Sequence, residues 1–259
     1  MAIALTQKTI LITGASSGIG AACARQFAEA GARLILTARR KEKLQALADE
    51  LQQTYDTEIW LLPLDVQRAN SVMSGIAELP DDWQQIDILI NNAGLSRGLD
   101  KQHEALLQDF DEMIDTNVKG LLYVTRAIVP GMVSRNSGHV VNIGSVAARY
   151  TYPGGSVYCA TKSAVKVLTE GLKIDLLGTP IRVTNIEPGL VETEFSDVRF
   201  KGNTDRAKSV YSGMTALTPD DIADSILFAI TRPVHVNVSE LYVIPTDQSS
   251  GTLIHRSPL

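Results

Sequence analysis

A tyrosine and a lysine stand four residues apart in the stretch SVYCATKSAV, at positions 158 and 162. In a helix, residues i and i+4 share a face, so the phenol of Tyr158 and the ammonium of Lys162 can lie side by side. A free phenol has a pKa of about 10, and a neighbouring cation favours the phenolate and lowers that pKa. The pair could therefore act as a general acid or base near neutral pH. The alternative is an ordinary half-exposed helix face, so the rest of the chain has to decide.

Length and composition bound the class of protein. The chain has 259 residues, of which 44% are hydrophobic and 20% charged, which suits one large α/β domain with a substantial core. The net charge of −5 argues against a nucleic-acid partner. No apolar run approaches the roughly 18 residues of a membrane span, and the first residues lack the basic region of a signal peptide. We therefore expect a soluble, cytoplasmic protein.

The cysteine content indicates neither a disulfide framework nor a metal site, because the chain has two cysteines, Cys23 and Cys159. Cys159 follows Tyr158 directly, but neighbouring side chains on a helix lie about 100° apart. We therefore expect Cys159 to pack rather than to act as a nucleophile.

Seven apolar, β-rich runs alternate with helix-period segments along the chain. The runs are KTILIT, ARLILTA, EIWLLPL, IDILI, GHVVNIG, IRVTNIE and ELYVIP. Most are nearly continuously apolar, as in strands buried on both faces, and amphipathic stretches such as AACARQFAEAGA and FDEMIDTNVKGLLYVTRAIVPGMV lie between them. This alternation predicts an α/β fold, a Rossmann-type doubly wound seven-stranded parallel sheet in a single domain over 1–259. The polar segment at about 190–217 follows the sixth strand, where such folds place a substrate lid.

The first strand is followed by the glycine-rich turn TGASSGIG. Its glycines permit a tight turn and a close approach of the backbone to a pyrophosphate, and the helix after it offers free N–H groups. A glycine-rich turn without a ligand is the alternative, but the first βα turn of a doubly wound sheet is the expected dinucleotide crevice. The residues of this turn expected to bind the cofactor are Gly14, Ser16, Ser17, Gly18, Ile19 and Gly20.

The second strand ends in LILTARRKEKL, where NAD-preferring sites usually carry an acidic residue for the ribose 2′-hydroxyl. Here Ala38 occupies the tip of the strand, and Arg39 and Arg40 follow. Two cations without a carboxylate suit a 2′-phosphate, which an arginine binds with its planar fork. The sequence thus predicts NADP rather than NAD, with two solvated arginines at a helix start as the alternative.

The third strand ends in LPLDV. Asp65 could accept a hydrogen bond from an adenine amino group, cap the next helix, or do both, because a carboxylate oxygen has two lone pairs. We expect Asp65 and the adjacent Val66 to line the cofactor site.

The order and spacing of these motifs resemble the short-chain dehydrogenase/reductase family over essentially the whole chain. The matching positions are TGASSGIG at 13–20, NNAG at 91–94, Asn117, Ser145, Tyr158-x-x-x-Lys162, Pro188-Gly189 and Thr193. Within this family, the C-terminal third resembles the bacterial NADP-dependent 3-hydroxy acid dehydrogenases, also described as serine or L-allo-threonine dehydrogenases. The segments that carry this resemblance are EPGLVETEFSDVRFKG, ALTPDDIAD, PVHVNVSEL and the late HR.

The resemblance implies a role for each member of the set. Tyr158 would hold the substrate hydroxyl and exchange its proton, while Lys162 would lower the pKa of Tyr158 and bond the nicotinamide ribose. Ser145 would orient the substrate oxygen, its alternative being a turn cap. Asn117 would bind a water that relays protons to Lys162, its alternative being a polar residue on a helix face. The other cofactor contacts implied, all of them also explicable as turns, are Asn91, Ala93 and Gly94 at the adenosine ribose and Pro188, Gly189, Val191 and Thr193 at the nicotinamide carboxamide.

The substrate contacts are open. A small acid needs a cation or a backbone nest, and the candidates are Arg149, Arg199 and Lys201, of which we favour Arg199 in the predicted lid. Each is otherwise a solvated basic residue. Phe195 and Phe200 could close over the substrate or pack in the core.

Three functions follow from this sequence. The leading one is an NADP-dependent oxidoreductase acting on the 3-hydroxyl of small 3-hydroxy acids or of L-allo-threonine- and serine-like amino acids. A broad-specificity NADPH-dependent carbonyl reductase and a non-catalytic NADP-sensing regulator are the alternatives, and the intact Asn117, Ser145, Tyr158 and Lys162 set argues against the regulator. The resemblance also implies a homotetramer formed through long helices near 103–135 and 153–177.

Overall fold

The computed structural model describes residues 4–257. Seven parallel strands form one sheet in the order β3-β2-β1-β4-β5-β6-β7, which confirms the predicted Rossmann-type doubly wound fold. The edge strands are shorter than the apolar runs that predicted them, because a strand at the edge is hydrogen-bonded on one side only. The strands are β1 Thr9–Thr13, β2 Arg33–Thr37, β3 Ile59–Leu61, β4 Ile88–Asn91, β5 His139–Ile143, β6 Arg182–Pro188 and β7 Glu240–Val243.

Helices cover both faces of this sheet. They are α1 Gly18–Glu29, α2 Lys41–Tyr55, α3 Ala69–Ala77, α4 Leu107–Ile114, α5 Leu121–Arg135, α6 Ser156–Asp175, α7 Phe195–Arg199, α8 Thr204–Ser209 and α9 Pro219–Ile230. Successive residues of a strand point to opposite faces, so the central strand β1 contributes side chains to two hydrophobic cores, one on each face of the sheet. Ile10 and Ile12 pack with the residues of α1, α2 and α9, whereas Leu11 packs with those of α3 and α5. This is why the central strands are continuously apolar.

The long apolar stretch predicted as one helix is α4 and α5 joined by a π-helical turn, Asp115–Gly120. Such turns insert an extra residue into a helix and are frequent at functional sites. Asn117 lies in the middle of this turn and is buried. The turn therefore aims the Asn117 side chain into the interior, whereas a regular helix was expected there.

The polar segment at 190–217 leaves the sheet after β6, and its two ends lie side by side. A parallel bridge pairs Val191 with Leu217 at its base, and α7 and α8 lie inside it. The C-terminal segment packs on this insertion, since Ser257 N donates to Gly213 O at 2.7 Å. The two ends of the insertion are thus paired with each other, and the C-terminal segment adds a further contact near Gly213.

Within residues 4–257, no helix is both long enough and apolar enough to cross a membrane. The two cysteines are buried free thiols. Burial raises the pKa of the Cys159 thiol and keeps it protonated, in line with the packing role expected from the sequence.

Candidate active site

The carboxyl ends of the strands open into a cavity of about 1060 Å³. It lies where the strand order reverses between β1 and β4, the position at which doubly wound sheets bind ligands. The sequence-predicted residues that line it are Gly14, Ser16, Ser17, Gly18, Ile19, Arg39, Arg40, Asp65, Val66, Ala93, Gly94, Ser145, Tyr158, Lys162, Pro188, Gly189, Val191, Thr193, Phe195, Arg199 and Lys201. The predicted residues that lie outside its wall are Gly20, Asn91, Asn117, Arg149 and Phe200.

The glycine-rich turn between β1 and α1 leaves no room for a side chain at Gly14 or Gly20. Gly14 has a φ of +67°, and a Cβ there would lie 2.9 Å from the Cα of Ala93. A Cβ on Gly20 would lie 2.5 Å from the carbonyl oxygen of Gly14. Gly20 therefore shapes the turn from behind the cavity wall. The bare backbone of the turn, ahead of the N-terminus of α1, fits the pyrophosphate of a dinucleotide.

The two asparagines of NNAG bond to different parts of the structure. Asn91 is buried in the sheet, where its Nδ2 donates to Thr125 Oγ1 at 3.0 Å and to Asn142 Oδ1 at 2.9 Å. Asn92, which the sequence analysis passed over, donates from Nδ2 to the carbonyls of Thr13 at 2.9 Å and Gly14 at 3.2 Å. Asn92 thus braces the glycine turn, and Asn91 braces the sheet instead of contacting the cavity. The alternation of side chains along β4 was a signal that the two point different ways.

Tyr158, Lys162 and Ser145 come together at the inner end of the cavity. The first two lie one turn apart in α6, as their spacing predicted, with Lys162 Nζ 5.9 Å from the centroid of the Tyr158 ring. Lys162 Nζ also donates to the carbonyl of Ile143, at the end of β5, at 2.7 Å. Ser145 Oγ accepts from Ala147 N at 3.1 Å, so a local turn fixes the hydroxyl. All three side chains are buried.

Burial controls the charge of this group. Desolvation is the largest effect on Tyr158 and raises the pKa of its phenol, helped by neighbouring Tyr152, while the Arg199 charge and the Ser145 hydroxyl lower it. Burial also lowers the pKa of Lys162 from 10.5 to about 8. Lys162 is therefore mostly protonated at pH 7 and loses its charge above pH 8. The sequence predicted that Lys162 would lower the Tyr158 pKa, whereas here the pKa is raised and the charge that opposes desolvation is that of Arg199.

Asn117 joins the loop after β4 to α6. Its Oδ1 accepts from Leu95 N and its Nδ2 donates to Leu95 O, both at 2.8 Å, and Nδ2 also donates to Thr161 Oγ1 at 3.0 Å. A Cβ on Gly94 would lie 3.3 Å from Asn117 Oδ1 and 3.5 Å from Lys162 Nζ. The amide thus lies directly behind Gly94 and Lys162. Whether its Oδ1 also binds a relay water stays a prediction.

Arg199, at the end of α7, reaches over Tyr158. Its guanidinium carbon lies 5.3 Å from the centroid of the Tyr158 ring and 5.1 Å from that of Phe195. Arg199 Nη2 donates to the Tyr152 hydroxyl at 3.0 Å. Its Nε is buried and has no hydrogen-bond partner among residues 4–257. A buried N–H without a partner is costly, and a small movement of the side chain toward the cavity that Arg199 lines would let a bound oxygen satisfy it.

The insertion carrying Arg199 is tied to the β4–α4 loop. Arg97 Nη1 donates to Val198 O at 2.6 Å, and Arg97 Nε pairs with Glu112 at 2.6 Å. Gly98 N donates to the carbonyl of Arg199 at 2.8 Å. Arg97 therefore holds the last turn of α7 in place. The sequence analysis missed it because nothing local links this arginine to α7.

The other predicted substrate residues have partners of their own. Arg149 forms ion pairs with the fully buried carboxylate of Glu187 and with Glu240, which holds it away from the cavity. A buried carboxylate requires such a cation, and the run IRVTNIE contained this glutamate without showing that Arg149 would reach it.

Phe200 and Lys201 follow Arg199. Phe200 is buried beneath Arg206, whose guanidinium carbon lies 4.5 Å from the ring centroid, so it packs within the insertion instead of closing over a substrate. Lys201 reaches the cavity wall, yet its Nζ pairs with Asp109 at 2.9 Å. Of the three candidate cations, only Arg199 has a buried donor to spare among the described residues.

The loop after β6 forms the opposite wall. Gly189 N donates to Val243 O at 2.8 Å, and Leu190 N donates to Oε1 of the buried Gln248 at 2.8 Å. Thr193 Oγ1 accepts from Phe195 N at 3.1 Å and lies against Gly18. Gln248, which the sequence analysis did not identify, thus positions the backbone predicted to meet the carboxamide.

Charged residues gather at the outer end of the cavity. Arg40 donates to the hydroxyl of Ser17 at 2.7 Å and pairs with Glu194 at 2.8 Å, and Arg39 lies exposed beside it. The sequence analysis found no carboxylate near these arginines, but the fold brings Glu194 from the start of the insertion. Asp65 Oδ1 accepts from Gln67 N at 3.1 Å, a local turn bond that leaves its other oxygen available.

A doubly wound parallel sheet, a glycine turn at its switch point and a buried Tyr–Lys–Ser group beside that turn together define a dinucleotide-binding oxidoreductase. Residues 8–204 match the sequence model of the short chain dehydrogenase family, and the chain belongs to that family. The family resemblance found in the sequence is thereby confirmed.

Named relatives cover nearly the whole chain. A protein of Salmonella typhi named NADP-dependent 3-hydroxy acid dehydrogenase YdfG is 49% identical over 250 residues, 96% of this chain and 99% of the relative. A protein of Schizosaccharomyces pombe named NADP-dependent 3-hydroxy acid dehydrogenase is 46% identical over 253 residues, 97% of this chain and 98% of the relative. The solved closed form of a serine dehydrogenase complexed with NADP+ has a TM-score of 0.91 and 46% identity, and the match covers 96% of this chain and 100% of that one.

Proposed function

We propose that this protein is an NADP-dependent oxidoreductase that acts on the 3-hydroxyl of small 3-hydroxy acids or of L-allo-threonine- and serine-like amino acids. The observation that carries the proposal is the place of Arg199 in the cavity wall, where its guanidinium carbon lies 5.3 Å from the centroid of the Tyr158 ring and its Nε has no hydrogen-bond partner among residues 4–257. A hydroxyl at Tyr158 and a carboxylate at Arg199 would belong to the two ends of one small molecule. The names of the relatives from Salmonella typhi and Schizosaccharomyces pombe support the same substrate class.

The proton chemistry falls to Tyr158 and its neighbours. The bound cofactor supplies the hydride acceptor or donor. Tyr158 takes the hydroxyl proton when the substrate is oxidised and returns it when a carbonyl is reduced. Ser145, whose Oγ already accepts from Ala147 N, keeps its own O–H free to donate to the substrate oxygen. Lys162, charged at pH 7 and fixed by Ile143 O, favours the phenolate electrostatically.

Arg199 binds the carboxylate in this scheme. A guanidinium forms strong, charge-assisted hydrogen bonds with a carboxylate, and partial burial strengthens them. Phe195, whose ring centroid is 5.6 Å from that of Tyr158, shields the pair from water. The insertion at 190–217 thus acts as a substrate lid, tied down through Arg97.

The remaining wall binds NADP. The glycine turn with Ser16, Ser17 and Ile19 takes the pyrophosphate, and Arg39 and Arg40 take the 2′-phosphate. Asp65 and Val66 contact the adenine, Ala93 and Gly94 the adenosine ribose, and Lys162 the nicotinamide ribose. The backbone at 188–191 and Thr193 take the carboxamide. The NADP named for the relatives supports the arginine assignment.

Two alternatives use the same cavity differently. A broad carbonyl reductase would use the same proton donor without depending on Arg199. A non-catalytic NADP sensor would need no buried Tyr–Lys–Ser group, so the positions of Tyr158, Lys162 and Ser145 argue against it.

A homotetramer is the proposed assembly. One apolar face on α6 exposes Val167 at 66% and Ile174 at 65%, and Leu177 follows the helix at 81%. The other helix expected in the contact, α5, exposes Leu122 at 40% and Val133 at 42%. Exposed apolar surfaces mark contact sites, and pairing of these helices between subunits would give a two-fold contact from which a tetramer can be built. The cytoplasm is the proposed location, since both cysteines are free thiols.

The experiment that tests the proposed function follows absorbance at the nicotinamide band with NADP and, separately, with NAD. The substrates are L-allo-threonine, L-serine, 3-hydroxy acids and simple secondary alcohols. We expect fast NADP reduction with the hydroxy or amino acids. Activity with alcohols alone, or only carbonyl reduction with NADPH, would favour the carbonyl reductase, and silence with every substrate would favour the sensor.

A further inference from the structure

Glu194 lies at the start of the insertion, yet its carboxylate is held by two cations of the β2–α2 region. Arg40 Nη1 lies 2.8 Å from Glu194 Oε2, and Lys43 Nζ lies 2.6 Å from Oε1. The hydrogen bonds from Lys43 and Arg40 lower the pKa of Glu194 to about 2, so it is fully ionised at neutral pH. The carboxylate therefore joins the lid side of the cavity to the side that carries the predicted phosphate-binding arginines.

Arg40 is the common member of two sets of contacts. Its Nη2 donates to Ser16 Oγ at 3.0 Å and to Ser17 Oγ at 2.7 Å, both in the glycine turn, while its Nη1 faces Glu194. The guanidinium thus bridges the glycine turn and the insertion. A 2′-phosphate bound by Arg40 would have to share or displace the Glu194 carboxylate, because both are anions that accept from the same planar group.

We propose that Glu194 is a specificity-determining residue that competes with the 2′-phosphate of NADP for Arg40. This inference rests on the assignment of Arg40 to the 2′-phosphate made above. NAD has a hydroxyl in place of the phosphate and does not meet this competition. Glu194 therefore weakens NADP binding while leaving NAD binding unchanged. The preference for NADP over NAD is thus smaller than Arg39 and Arg40 would produce without Glu194.

The size of the effect follows from exposure. The side chains of Arg40 and Glu194 are 43% and 42% exposed, so water screens the pair. Exposed ion pairs stabilise proteins modestly, which corresponds to a change of about two- to five-fold in an equilibrium constant. A change of that size is measurable by calorimetry.

The test is a calorimetric titration of the wild-type protein, Glu194→Gln and Glu192→Gln with NADP and with NAD. Glu192 is an exposed glutamate two residues earlier in the same loop, so Glu192→Gln removes the same charge without touching Arg40. We expect Glu194→Gln to tighten NADP binding about two- to five-fold and to leave NAD binding unchanged, and Glu192→Gln to change neither. Unchanged or weaker NADP binding by Glu194→Gln would overturn the proposal, as would equal tightening for NAD.

Arg40→Met separates this inference from the assignment beneath it. If Arg40→Met weakens NADP relative to NAD, the assignment stands, and adding Glu194→Gln to Arg40→Met must then give no further tightening. If NADP binding still tightens in the double variant, Glu194 and the 2′-phosphate compete for Lys43 and not for Arg40, and the proposal is overturned. If Arg40→Met leaves the NADP-to-NAD ratio unchanged, the assignment of the arginine itself fails.

Discussion

The guanidinium carbon of Arg199 lies 5.3 Å from the centroid of the Tyr158 ring, and the charge of Arg199 is one of the influences that lower the pKa of that phenol. The two residues come from α7 and α6. In the proposed function, this single arginine binds the substrate carboxylate and also favours the phenolate of Tyr158. The proposed base and the proposed anion site are therefore coupled through one charge.

Replacing Arg199 by methionine should remove both effects, which kinetics can measure separately as a change in KM and a change in pH dependence. We expect KM for a 3-hydroxy acid to rise about ten- to hundred-fold, the usual loss for a charge-assisted hydrogen bond. Because the cation no longer favours the phenolate, the pH at which oxidation reaches half its maximum should move upward. Steady-state kinetics against pH measures both. The matched control is Lys201→Met, a neighbouring cation already paired with Asp109. An unchanged KM in Arg199→Met would exclude the arginine as the carboxylate site.

Tyr158→Phe should remove the proton acceptor while keeping most of the packing. General acid–base catalysis contributes typically about 10²–10⁴-fold, so we expect kcat to fall by at least about 10²-fold. Calorimetry should show NADP binding within a few-fold of the wild type. Turnover that survives this change would mean that another group exchanges the proton.

Arg97 is expected to act as a positioning residue through the last turn of α7. In Arg97→Met, Val198 O and Glu112 lose the hydrogen bonds that Arg97 donates to them, so Arg199 should be held less firmly. KM for a 3-hydroxy acid should rise more than kcat falls, and NADP affinity should not change. The double variant with Arg199→Met should be no worse than Arg199→Met alone. Additive losses in the double variant would show that Arg97 acts independently of Arg199.

The buried Lys162 should make stability depend on pH. Its pKa is about 8 in the folded protein, against an ordinary 10.5 in the unfolded chain, so the unfolded state binds the proton more tightly between those values. The free energy of unfolding should therefore rise from about pH 8 to about pH 10.5, relative to Lys162→Met, by about 3 kcal/mol. Urea denaturation of the wild type and Lys162→Met across that range measures the difference between their free energies of unfolding. The titration of all other groups is common to both proteins and cancels. A constant difference would mean that the ammonium is solvated.

The exposed apolar face on α6 should hold subunits together. Replacing Ile174 by glutamate places a charge at the centre of that face and should yield smaller assemblies, because a buried unpaired charge is strongly unfavourable. Size-exclusion chromatography with light scattering should show a tetramer for the wild type. Glu170→Gln, four residues before Ile174 on the same exposed face, removes a charge there and should keep the wild-type assembly. A monomeric wild type would remove the proposed assembly.

Local patterns in the sequence determined the fold and the inner end of the site. Seven apolar runs with helices between them predicted the parallel sheet, and the glycine turn after β1 predicted its ligand crevice. The spacing of Tyr158 and Lys162 placed both on one face of α6. These features are readable because the repeats of strands and helices, and the steric demands of a turn, depend on residues close together in the chain.

Contacts between distant segments were decided by the tertiary structure. Nothing local to Arg199 showed that it would reach Tyr158, with an Nε that no group among the described residues satisfies, or that Glu194 would meet Arg40. Arg149, an equally plausible cation in the sequence, is drawn instead to the buried Glu187. Asn92 rather than Asn91 reaches the glycine turn. A buried charge or amide takes whichever partner the folded chain brings within reach, and that choice depends on the paths of loops whose ends lie far apart in the sequence.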